Sequence, residues 1–137
     1  MTVEVHNTTE ITRLPQKQIT TDLLGVFDSE KFQADGVTRV IFVDDKEIHR
    51  LNLEYLQHDY ATDVITFTIN EEMNDFDAEI YISVDTAKQQ AEEYNVSLNN
   101  EVRRLAIHGA LHLVGFDDST DELRSTMQMK ENYYLER

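Results

Sequence analysis

Chain breakers are scarce here: one Pro and four Gly are spread over 137 residues, so the apolar patterns between them can run as regular elements, and no stretch reads as a linker between separable halves. With 40% hydrophobic residues and no internal repeat, residues 1–137 are expected to form a single domain around one core. Residues 3–6 and 37–43 alternate apolar and polar side chains rich in β-branched types, the pattern of strands. Residues 63–69 and 79–83 read the same way. Between the first two, residues 14–27 place Ile19, Leu23, Leu24 and Phe27 at helical spacing, with Pro15 suited to the start.

The run KEIHRLNLEYL forms a second helix, capped by Asp44 or Asp45, with Ile48, Leu51, Leu53 and Tyr55 as its apolar side. DTAKQQAEEYNV forms a third, capped by Ser83 or Asp85, and residues 102–114 form the most hydrophobic helix, ended by Gly115. A largely polar helix over residues 121–135 offers Leu123, Met127, Tyr134 and Leu135 for packing. The expected fold is α+β, a mixed sheet of about four strands packed by about five helices.

Charge and cysteine content exclude whole classes of function. The 12 Lys and Arg against 27 Asp and Glu give a net charge of −15, so the molecular field repels polyanions and membrane surfaces, and a nucleic-acid role needs a local basic patch or a bridging cation. Zero Cys removes disulfides, thiol nucleophiles and thiolate metal sites, and fits a reducing compartment. No apolar run approaches the roughly 18 residues of a membrane span, and MTVEVHNTTE lacks the basic and apolar regions of a signal peptide. A cytoplasmic location is expected.

The chemistry concentrates in HGALHLVGFDD, residues 108–118. His108 and His112 stand four apart, hence on one helix face about 6 Å apart along the axis, where two imidazoles grip one cation. Gly115 lets the chain turn back so that Asp117 or Asp118 reaches the same cation, and three protein ligands leave a coordination position for water. Two hydrogen-bonded core histidines are the competing reading of the same pair. Position 109, which carries the general base in H-E-x-x-H metallopeptidases, is Gly109, so peptidase chemistry of that type is disfavoured.

The segment resembles the fingerprint H-G-x-L-H-L-x-G-x-D-H of the YbeY-type endoribonucleases, or 16S rRNA maturation factors, at every fixed position but the last, where Asp118 replaces a third His. Upstream, VDDKEIHRLN and DYATDVITF are similar to that family's V-D-x-x-E-x-x-x-L-N and D-x-P-T-D-V-L-S-F segments. The resemblance runs from about Val37 to the C-terminus.

It implies that His108, His112 and Asp118 hold one divalent ion, Zn2+ or another metal, Asp117 being the fallback ligand. A His2Asp set leaves one net positive charge on the site, weakening its Lewis acidity. The arginine with which the family engages RNA phosphate is Leu56 here, while the family's Pro and G-D-I appear as Ala61 and as Ala78-Glu79-Ile80. Of His58, Arg50 and Arg104 as substitutes for the lost guanidinium, Arg104 ranks first as a catalytic residue, lying one turn before His108; pairing with Glu101 or another carboxylate is its ordinary alternative.

The activity implied is a metal-dependent single-strand endoribonuclease in rRNA maturation and late ribosome assembly. Its partners are rRNA, the small ribosomal subunit and ribosome-associated proteins, not DNA or membrane. A non-catalytic, metal-braced assembly factor is the main alternative, and a small metallohydrolase of other specificity the third. The general base stays open among solvent activated at the cation, His49 and an RNA 2′-hydroxyl.

Overall fold

The computed structural model describes residues 1–137. Its alternating runs form four strands, β1 (Thr2–Asn7), β2 (Gly36–Val43), β3 (Val64–Asn70) and β4 (Phe76–Ser83). They lie in the order β1-β2-β4-β3, with β1, β2 and β4 parallel and β3 antiparallel to β4, the mixed sheet expected. Five helices accompany them: α1 (Gln16–Ser29), α2 (Asp45–Leu56), α3 (Val84–Tyr94), α4 (Leu98–Leu113) and α5 (Asp121–Leu135).

Strand periodicity divides the core between the two faces of the sheet. Val40 and Phe42 of β2, with Ile80 and Ile82 of β4, join the large core made with α1, α3, α4 and α5. Their alternates Val43 and Ile65, flanked by Ile41, Phe67 and Tyr81, pack under α2 on the opposite face. Only Ile48 and Leu51 of α2 enter that smaller core; Leu53 and Tyr55 are exposed, because a single short helix over a sheet needs only a narrow apolar stripe. Leu24 is likewise exposed on α1.

Caps settle the alternatives that the sequence leaves open. The Asp44 carboxylate accepts from the Glu47 amide and starts α2, while Asp45 accepts from the hydroxyls of Ser83 (2.5 Å) and Thr86 (2.6 Å), tying the starts of α2 and α3 together. Ser83 caps α3, and Asp85 instead accepts from the Asp45 amide. Helix α4 begins at Leu98, a turn earlier than its hydrophobic run, because Ser97 accepts from the Asn100 amide. Its end follows the expected left-handed turn: Gly115 has φ 108°, and the Phe116 amide donates to the Leu111 carbonyl.

Helix α4 is the buried element, its Val102, Leu105, Ala106, Ile107, Ala110 and Leu111 all within the large core. Arg103 fastens it to α1 by donating from Nε and Nη2 to the buried Asp22 carboxylate at 2.8 and 3.1 Å. Gly109 faces the sheet so closely that a Cβ there would lie 2.8 Å from Ile80 Cγ2 and 3.0 Å from Thr66 Oγ1. The general base of an H-E-x-x-H peptidase has no room at this position. Gly109→Ala is expected to destabilise the fold by about 1–3 kcal/mol through overpacking, read from urea unfolding midpoints at unchanged slope.

Candidate metal centre

With its Ala106-Gly109-Ala110 side on the sheet, α4 turns the stripe Glu101, Arg104, His108 and His112 toward β3 and α5. The two imidazoles approach with His108 Nε2 and His112 Nε2 3.0 Å apart. Beyond the Gly115 turn, Asp118 brings Oδ2 to 3.4 Å from the first nitrogen and 3.6 Å from the second. Donors at the corners of a tetrahedron with zinc–ligand bonds of about 2.0–2.2 Å lie about 3.3–3.6 Å from one another, so the two distances to Asp118 match three ligands around one cation and the two imidazoles need part by only a few tenths of an ångström. A proton shared between the rings and a cation are alternative occupants of the same gap.

Asp118 and not Asp117 faces the imidazoles. The Asp117 carboxylate is taken up by the turn, accepting from the Ser119 hydroxyl and the Asp118 amide at 2.7 Å each, and the Ser119 bond leads in holding its pKa below the usual carboxylate range.

The residue that orients this group was not singled out from sequence. Glu131 of α5 places Oε2 2.7 Å from His108 Nδ1, so the neutral ring keeps its proton on Nδ1 and turns the Nε2 lone pair toward His112 and Asp118. Arg104 completes the chain, donating from Nη1 to Glu131 Oε1 (3.0 Å) and from Nη2 to Asn132 Oδ1 (2.7 Å). Its carboxylate partner is therefore Glu131, not Glu101. One signal was legible: Glu131 shares a buried stripe with Met127 and Tyr134, where a carboxylate is out of place without a partner. Glu101, also missed, is 2% exposed, and its Oε1 has no hydrogen-bond partner. Burial first, then the charges of Asp63 and Glu131, push its pKa up against the opposing pull of Arg104.

Burial by itself lowers the His108 pKa. The bond to Glu131 and the charges of Glu131, Asp118 and Asp63 outweigh it and hold the pKa above the ordinary imidazole value.

Two cavities of about 560 Å3 each meet at this group, both bordered by Asp63, His108 and Asp118. One runs toward α3 and α5 past Arg104, Glu101 and Tyr94. The other runs along β3 past Leu56, His58 and Tyr60. His49 borders neither cavity, its Nε2 lying 2.7 Å from Asp59 Oδ1, and Arg50 is paired with Glu47 and Glu54 outside both.

The family model for endoribonuclease YbeY matches residues 2–137. This chain belongs to the YbeY family. The endoribonuclease YbeY of Chlorobaculum tepidum is 39% identical over 137 residues, covering 100% of this chain and 98% of that protein. The Desulforamulus reducens endoribonuclease YbeY is 45% identical over 118 residues, 80% of this chain and 77% of its own. A Thermotoga maritima protein determined in solution has the same fold, with a TM-score of 0.68 at 28% identity over 98% of this chain and 87% of that one. The family match thus includes β1 and α1, upstream of Val37, where the resemblance read from the sequence begins.

Two outcomes are expected at this site. Glu131→Gln should keep its helical circular dichroism while divalent-metal affinity falls about 10- to 100-fold by calorimetric titration, because the ring loses its charged anchor. In chelator, His108 contributes stability that is present below the ordinary imidazole pKa and lost as pH rises through its raised folded value. Metal affinity should run the opposite way, falling as pH drops from 8 toward about 5 because a proton then occupies the ligand nitrogen. Thermal midpoints across that range, with and without metal, read both slopes.

Proposed function

We propose that this chain is a metal-dependent endoribonuclease cleaving single-stranded rRNA during rRNA maturation and late ribosome assembly, with His108, His112 and Asp118 as ligands of one zinc ion. The observation that carries the reading is the triangle of Nε2, Nε2 and Oδ2 atoms at 3.0, 3.4 and 3.6 Å, set where two cavities meet in a chain of the YbeY family. When bound, a divalent cation supplies a Lewis acid that neutralises charge on a phosphoryl oxygen and acidifies coordinated water.

The remaining roles belong to the chain itself. Glu131 keeps the His108 Nε2 lone pair available, and Arg104 keeps Glu131 in place. A guanidinium carries five N–H donors, and Arg104, bordering the same cavity as His108 and Asp118, has donors left for a phosphate oxygen entering there. Electrostatics accounts for the need for a cation: with a net charge of −15, bridging positive charge offsets the repulsion between protein and RNA. The expected partners are rRNA of the small ribosomal subunit and ribosome-associated proteins in the cytoplasm. No helix is long and apolar enough to cross a membrane.

A non-catalytic assembly factor is favoured by one observation, the absence of any Lys or Arg along the β3-side cavity, where Leu56 stands. Cleavage of a single-stranded rRNA 3′ fragment by the purified protein separates the two. Loss of cleavage in chelator and in His112→Ala is expected; cleavage indifferent to both rejects metal catalysis. Ribosomal-particle binding that survives in His112→Ala, with no cleavage by the unaltered protein, favours the assembly factor. Arg104→Ala should lower kcat/KM by about 10- to 1000-fold, the size of losing one charged transition-state contact.

A further inference from the structure

The β3-side cavity reaches the ligand group yet is lined by no Lys or Arg, and its charged walls, Asp63 and Asp118, are acidic. A phosphate backbone running along this wall away from the histidines meets no Lys or Arg, so a nucleotide held there is better gripped through its base than through its phosphate. At the mouth of the same cavity, in the loop between α2 and β3, the rings of His58 and Tyr60 stack at 5.4 Å between centroids and 7° between planes. Tyr60 is 56% exposed, an aromatic ring left to solvent beside a polar hollow.

The loop is not free to collapse. Buried Asn52 holds it at two points, donating from Nδ2 to the Tyr60 carbonyl at 3.0 Å and accepting the His58 amide at its own carbonyl at 3.1 Å. Gln57, with φ 60°, supplies the left-handed residue that turns the chain out of α2 and into this loop. The two rings are therefore presented by fixed backbone, and the entropy of forming a stacking surface is already met in the free protein.

We propose that His58 and Tyr60 form a platform on which a nucleobase of single-stranded RNA stacks, next to the phosphate held at His108, His112 and Asp118. The proposal rests on the RNA-cleaving reading above. A base laid on Tyr60 continues an existing two-ring stack, and every base has a π-face, so the platform tolerates any sequence. It also removes the need for the guanidinium that Leu56 replaces: the side of the site without cations binds through bases, and the side with Arg104 binds through phosphate. Affinity contributed by the platform is accordingly insensitive to salt, unlike that of a phosphate-gripping surface.

The test uses the full chain with zinc added, so that the acidity of the site is offset, and a single-stranded decamer with a cleavage-resistant 2′-O-methyl phosphorothioate backbone carrying 2-aminopurine at successive positions. The unaltered protein should quench the fluorophore strongly at one position. Tyr60→Ala should abolish that quench and weaken binding about tenfold, as expected for one base–aromatic stack, whereas Tyr60→Phe retains both. An abasic residue at the quenched position should weaken the unaltered protein by a similar factor and leave Tyr60→Ala no weaker than before. Unchanged thermal midpoints show that the variants are folded.

Equal binding by Tyr60→Ala and the unaltered protein overturns the platform, as does a loss in Tyr60→Phe as large as in Tyr60→Ala, which would assign the effect to the hydroxyl. Failure of the zinc-supplied unaltered protein to bind the decamer also overturns it. The reading of function stands or falls separately, on metal-dependent cleavage of the rRNA fragment.

Discussion

The close seating of α4 on the sheet is the contact from which the rest of the molecule follows. Gly109 presents no side chain to Ile80 and Thr66, and Ala106 and Ala110 beside it are small and fully buried, so the helix axis comes in where a larger residue would hold it away. Its Arg103 pairs with buried Asp22 and prevents the helix from rolling. Once the roll angle is set, Glu101, Arg104, His108 and His112 have only one direction to face, and it is toward the two cavities. The imidazoles are aimed by packing on the opposite side of their own helix.

Around that helix the acidic composition takes on a local meaning. Asp118, Glu131, Glu101 and Asp63 gather about two imidazoles and one arginine, and His108, His112 and Asp118 among them are close enough together that one metal ion could be held between them. Each member acts on the next: Arg104 on Glu131, Glu131 on His108, and His108 across the ligand gap on His112 and Asp118. The same acidity makes the site a poor receiver of RNA until its charge is offset, which joins cation and substrate in one electrostatic problem.

Much of this was legible before any coordinates. Alternation marked all four strands because one face of each must be apolar, and Asp44 and Ser83, each one of two candidate caps, start their helices where a side-chain oxygen meets orphan amides. The spacing of His108 and His112, and a glycine three residues on, predicted a bent group of ligands, and the bend forms as a left-handed turn at Gly115. Periodicity misjudged Leu53 and Tyr55, since helical spacing says which residues share a side and not how wide a side the neighbours cover. It also set the start of α4 too late, because Ser97 caps a first turn in which Leu98 is followed by three polar residues that break the apolar run.

Local spacing determined the elements, the histidine pair and the turn that follows them, since each depends on interactions within a few residues of chain. Partnerships between distant segments were decided only when the sheet and helices packed: Glu131 against His108 across 23 positions, Arg104 turned toward α5 and away from Glu101, Asp118 chosen over its neighbour, and His58 laid flat on Tyr60 at a cavity mouth. Such contacts depend on the roll of α4 and the docking of α5, which are properties of the whole core and leave no periodic trace along the chain.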